Sequence, residues 1–111
     1  MDLAEAAAAA LALTRDLHEA LVGEELAHSE ALLVRRADAM VVFADCHRAA
    51  DAAARTDARA LLLELQEHDR LLQEKAAEVF ALAEQAFHAR LGAQPAGPSA
   101  YGSLACLDRQ A

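Results

Sequence analysis

The chain has 111 residues, 56% of them apolar, and 18 acidic against 10 basic side chains give a formal charge of −8. That length suits one domain, and the acidic balance argues against phosphate backbones and anionic membrane surfaces as partners. No uninterrupted apolar run reaches the ~18 residues of a membrane span, and no basic side chain precedes Arg15, unlike a secretory signal.

Two cysteines, Cys46 and Cys106, stand in no CxxC spacing, so a disulfide framework is not expected and a reducing, cytoplasmic setting fits. Punctuation is scarce: Gly23 is the one glycine before Leu91, no proline precedes it, and Gly92, Pro95, Gly97, Pro98 and Gly102 then follow. The expected organisation is a helical body over 1–91 and a short irregular, flexible tail over 92–111. Strand signals are absent, and Ala, Leu, Glu, Arg and Gln, all good helix formers, dominate.

A first helix is expected over about 2–22. Asp2 and Glu5 have the spacing of a capping box, and Leu3, Ala7, Ala10, Leu11, Leu13, Thr14, Leu17, Leu21 and Val22 supply an apolar side. Gly23 then ends the helix in a left-handed conformation or marks a bend. The second helix is expected over about 24–53. Leu26, Leu33 and Met40 recur at seven, with Ala37 and Ala44 four residues beyond Leu33 and Met40, which reads as a coiled-coil-like seam that Val34, Val41 and Val42 widen. The segment Asp51 to Asp57 is either a turn with Thr56 or Asp57 as the next N-cap, the preferred reading, or a stretch through which the helix runs on. The third helix, about 57–91, carries Leu61, Leu65, Leu72, Val79, Ala83 and Ala86 as its stripe, and Phe80, Leu82 and Phe87 spread it onto a second face. The fold expectation is therefore all-α: an elongated antiparallel hairpin or three-helix bundle with a short C-terminal tail.

Chemistry-bearing motifs are sparse. Glu25-Leu26-Ala27-His28 matches the ExxH spacing of four-helix di-iron sites, which also require a second ExxH and two more inward glutamates. In a glutamate-rich chain the plainer reading is a solvated helix face, so no metal and no cofactor are expected. There is no GxSxG, no glycine-rich phosphate loop and no catalytic Cys/His context. His18 lacks the lysine and glycine spacing of a phosphotransfer histidine. His68 or Asp69 falls on or beside the third-helix seam, where a polar residue fixes register. An enzyme is not expected. The broad apolar spread at Val79, Phe80, Leu82, Ala83, Ala86 and Phe87 has two readings, packing against both other helices or a groove for a partner helix.

Three stretches carry a family resemblance. They are Gly23-Glu24-Glu25-Leu26-Ala27-His28-Ser29-Glu30-Ala31-Leu32-Leu33-Val34-Arg35-Arg36, Leu61-Leu62-Leu63-Glu64-Leu65-Gln66-Glu67-His68-Asp69, and Ala100-Tyr101-Gly102 after the last long helix. Over most of residues 11–102 the chain resembles the small flagellar type III export chaperones of the FliT and FlgN kind. The aromatic residue usual after the family's glycine-acid pair is missing, and the spacing from Glu30 to Arg35 is longer than usual.

The resemblance implies a bacterial cytoplasmic chaperone that binds an amphipathic helix of a filament-cap or hook-associated client and passes it to the export apparatus. The client surface would comprise Leu72, Val79, Phe80, Leu82, Ala83 and Phe87, with Tyr101 in a tail that covers it until the client arrives. A homodimer stays open. The rivals are a structural coiled-coil subunit of a larger complex, and a carboxylate-bridged metal protein that needs Glu25, His28 and Glu64 to converge.

Overall fold

A computed structural model describes residues 1–91 of the chain. Four helices follow one another: α1 Leu3–Val22, α2 Leu26–Ala49, α3 Ala52–Asp57 and α4 Arg59–Arg90. Among the described residues there is no strand, and the protein is all-α. The chain divides into two compact units, Met1–Glu78 and Val79–Ala111, so that α4 contributes to both.

In the first unit α1 is the innermost helix. Its N-terminus carries the expected capping box: the Glu5 amide donates to Asp2 Oδ1 at 2.8 Å, and the Asp2 amide donates to Glu5 Oε1 at 3.4 Å. Leu3, Ala6, Ala7, Ala10, Leu11, Thr14, Leu17 and Ala20 are all buried. They recur every three or four residues, one face of a helix. The alanines on this face let neighbouring backbones come close, so the core is thin, and leucines supply its volume.

The left-handed residue after α1 is Glu24, at φ 58°, and not Gly23, which stays right-handed at φ −80°. The Glu25 amide donates to the Ala20 carbonyl at 2.9 Å and the Glu24 amide to the Leu21 carbonyl at 3.2 Å. This is a Schellman closure, in which the residue after the cap takes the left-handed conformation. Hydrogen-bond closure, rather than the position of the glycine, sets which residue turns.

The short turn sends α2 back along α1. Cys46 near the end of α2 lies 3.4 Å from the Met1 carbonyl oxygen. Leu17 and Ala20 of α1, Leu32 of α2 and Leu72 of α4 form one buried cluster, flanked by Leu13 and Leu21. A second cluster joins Ala10, Leu11 and Leu65, with Met40, Phe43 and Leu61 packed against it. Across these clusters α1 and α4 run parallel, with α2 opposed to both.

The expected second helix over 24–53 is shorter. It stops at Ala49, because Ala50 is extended at ψ 142° and Asp51 caps a new helix by accepting from the Ala54 amide at 2.8 Å. The break therefore falls before Asp51, and neither Thr56 nor Asp57 is the N-cap: both lie inside α3. Asp51 outcompetes them because its carboxylate reaches the free amide three residues on. Ala58, buried at the junction, joins α3 to α4.

Most of the expected seam of α2 faces outward: Leu26, Leu33, Ala37 and Ala44 are exposed, and of its members only Met40 turns in, half-buried against the second cluster. Ser29 and Leu32 are buried, and Arg36 and Phe43 are half-buried. α2 has two apolar faces, and the one that turns inward carries a serine and an arginine.

Candidate partner-binding site

The inward arginine belongs to a polar network that joins three helices. Thr14 is fully buried; its hydroxyl donates to the Ala10 carbonyl at 2.8 Å and accepts from Arg36 Nε at 2.9 Å. The other end of the Arg36 guanidinium pairs with Asp69 Oδ1, and Gln73 donates to Asp69 Oδ2 at 2.9 Å. No buried side-chain nitrogen or oxygen among the described residues lacks a partner. A satisfied network of this kind fixes helix register, because sliding one helix by a turn would strand a charge. Asp69 thus holds the register-setting place expected of His68 or Asp69. His68 instead sits 3.4 Å from Arg15 Nε, and Arg15 also reaches Glu64 at 3.1 Å.

Above this network α1, α2 and α4 leave an open apolar groove of about 420 Å³. Leu17 and Leu21 of α1, Leu26 and Leu33 of α2, and Leu72 and Ala76 of α4 line it, and Ser29, Glu30 and Arg36 add polar groups. Leu26 is 66% exposed and Leu33 57%, so the outer wall is bare leucine. Arg36 is held by Thr14 and Asp69, which keeps its charge from collapsing into the apolar floor. A second hollow of about 460 Å³ lies between α2 and α4, around Met40, Phe43, Leu62 and Leu65, with His47, Arg59 and Asp69 at its edges.

The proposed client residues divide between the two units. Leu72 belongs to the first unit, buried in its core beneath the groove. Val79, Phe80, Leu82, Ala83 and Phe87 belong to the second, where Phe80, Leu82 and Phe87 are more than half exposed, Ala83 is exposed and Val79 is half-buried. Tyr101, with the whole tail from Gly92, lies outside the described residues. Leu17, Leu21, Leu26, Leu33 and Ala76 were not among the expected site residues. Leu26 and Leu33 carry a visible signal, their seven-residue repeat, which reads as a coiled-coil-like seam.

Among the described residues no three His, Cys, Asp or Glu side chains group as a metal site requires. Glu25 and His28 are both exposed, and Glu64 is engaged by Arg15. On α4, Arg70 forks between Glu67 at 2.6 Å and Glu74 at 2.5 Å. The hydrogen bond from Arg70 holds the Glu67 carboxyl below the usual glutamate range. No helix among the described residues is long and apolar enough to cross a membrane. Comparison with protein-family models, with curated proteins and with solved structures finds no match in any of the three.

Proposed function

We propose that this chain is a protein-binding module, not an enzyme, and that it captures an amphipathic helix of another protein. The observation that supports this reading is the groove walled by Leu17, Leu21, Leu26 and Leu33, open on a side where two leucines are bare. A helix laid there would bury side chains at its i, i+3, i+4 and i+7 positions, the usual mode for helix-in-groove recognition. Several hundred Å² of apolar contact at ~25 cal/mol per Å² supplies enough gross energy for reversible capture. Association losses then set how much of it becomes affinity.

Charge narrows the client. From Asp16 to Val34, the stretch that supplies most of the groove, there are five acidic residues and no lysine or arginine. A client whose apolar face is flanked by basic side chains fits best. The finer reading, drawn from the resemblance above, is a flagellar export chaperone that holds a filament-cap or hook-associated subunit before type III export. Phe80, Leu82 and Phe87 of the second unit are exposed and form an apolar surface of their own.

Calorimetric titration with C-terminal peptides of the same organism's filament-cap and hook-associated proteins tests both levels. Saturable binding that Leu33→Asp abolishes, with helix content unchanged, is the expected result. Binding lost to Phe80→Asp but not to Leu33→Asp would move the client to the second unit. No heat with any of these peptides overturns the export reading, and no heat with a basic amphipathic helix of any origin overturns helix capture.

A further inference from the structure

The second hollow, between α2 and α4, is a slot with a direction. The two helices run antiparallel, and the Arg36–Asp69 pair sets their register. His47, Phe43 and Met40 of α2 therefore pass Arg59, Leu62 and Leu65 of α4 in that order. The span from Arg59 to Asp69 is about 15 Å at the helical rise. Met40 and Phe43 already pack on the cluster of Ala10, Leu11 and Leu65, so the floor exists before any ligand arrives.

The two ends of the slot differ in charge. At one end Asp69 is the sole acid of the lining, and Arg36 and Gln73 take its two oxygens. At the other end stand Arg59 and His47. The Arg59 side chain is exposed and makes no ion pair or hydrogen bond among the described residues. The His47 ring packs against Phe43 with centroids 6.0 Å apart. Its backbone carbonyl accepts a hydrogen bond from Arg55 at 3.0 Å, which brings a further positive charge to this end. In a chain of net charge −8, an apolar slot with free cations at one end and a neutralised acid at the other suits an anion with an apolar body. Its volume of about 460 Å³ falls in the range of small-molecule sites, which are mostly apolar with a few polar groups that fix orientation. An amphipathic helix suits it less, because charges flank such a helix along its whole length and this slot carries them at one end.

We propose that the slot binds a small amphiphilic carboxylate of the medium-chain fatty-acid kind, its carboxylate at Arg59 and His47 and its chain laid over Phe43, Met40 and Leu65. The lining of the client groove contains none of these residues, so the site does not rest on the client reading.

Titration of the full chain with decanoate, below the concentration at which it forms micelles, tests it by NMR of carbon-labelled methionine methyls. The chain holds two methionines, Met40 within the slot and Met1 outside it. A saturable shift of the Met40 methyl is expected, with Met1 unmoved. Arg59→Gln should weaken binding by roughly fivefold or more, with helix content by circular dichroism unchanged. Decanol should bind less tightly and ignore that substitution, and Leu33→Asp should leave decanoate binding as it is. No saturation at Met40, equal affinity for decanoate and decyltrimethylammonium, or indifference to Arg59→Gln overturns the inference. Decanoate binding abolished by Leu33→Asp overturns it in favour of the client groove, and saturation of Met40 by an acidic amphipathic peptide but not by decanoate overturns it in favour of a protein partner. Decanoate binding without capture of any peptide overturns only the client reading, and the converse overturns only this one.

Discussion

α1 and α2 are neighbours of similar length, yet they meet the rest of the protein in opposite ways. α1 has eight buried residues and its large side chains point inward; α2 has two, Ser29 and Leu32, and leaves Leu26, Leu33, Val34 and Val41 more than half exposed. The difference lies in what each helix has to bury. α1 has neighbours on two sides and an alanine-rich face that admits them closely. α2 touches the core along one narrow strip, and its second apolar face is left over. A helix that sits at the centre is defined by folding, whereas the leftover apolar face is the surface proposed above to meet another protein.

Adjacent leucines give the sharpest way to break that comparison. Leu32→Ala should cost about 2–5 kcal/mol, because Leu32 is 2% exposed and its removal leaves a cavity. Leu33→Ala, one residue on, should stay within about 0.5 kcal/mol in the isolated monomer while weakening partner binding. Urea denaturation of both variants measures the contrast, and equal losses would refute the division of α2 into core and docking faces.

The polar network comes next. Asp69→Ala removes the partner of a largely buried guanidinium and should cost about 1–3 kcal/mol. Because Thr14, Arg36 and Asp69 act together, Thr14→Val and Asp69→Ala should be non-additive by about 0.5–3 kcal/mol in a double-mutant cycle. Strict additivity would mean that Arg36 does not couple the three helices.

The turn between the two helices offers a smaller gain. Glu24 sits at φ 58°, where a side chain is penalised and glycine is not. Glu24→Gly should therefore stabilise the protein by up to about 1 kcal/mol, visible as a raised thermal midpoint. Gly23→Ala is a useful control, since Gly23 is right-handed, although an added Cβ would lie 3.2 Å from Glu25 Oε1 and 3.4 Å from the Glu19 carbonyl. That side chain has to shift.

The smallest effect concerns acid. The Glu67 carboxyl, held below its ordinary value by Arg70, favours the folded state above the unfolded glutamate range and loses that contribution as pH falls through its folded pKa. Both groups are fully exposed, so the consequence is local. An NMR titration should show Glu67 returning toward the ordinary range in Arg70→Gln, with little change in global stability.

Much of the molecule was legible from the chain itself. The all-α class, the Asp2–Glu5 cap, the start of α1 and the Leu65 and Leu72 core positions follow from local propensity, capping chemistry and a clear 3.6-residue period. These depend on groups within a few residues of one another. The interruption at Ala50 was misplaced by several residues, because Asp51, Thr56 and Asp57 are all competent caps and sequence does not rank them. The candidate site was legible only as an excess of apolar residues. Leu72 and Phe80 stand out in it, whereas the leucines of α2 that wall the groove read as a coiled-coil-like seam.

The sequence by itself determined that α2 would be a helix with a broad apolar seam. Only the tertiary structure decided which face turned inward. Counting apolar residues favours Leu26, Leu33, Ala37 and Ala44, and a buried arginine counts against the other side. Arg36 nevertheless goes in, because Thr14 from α1 and Asp69 from α4 meet its hydrogen bonds there. That compensation comes from residues 22 and 33 positions away in the chain, and no local pattern contains it.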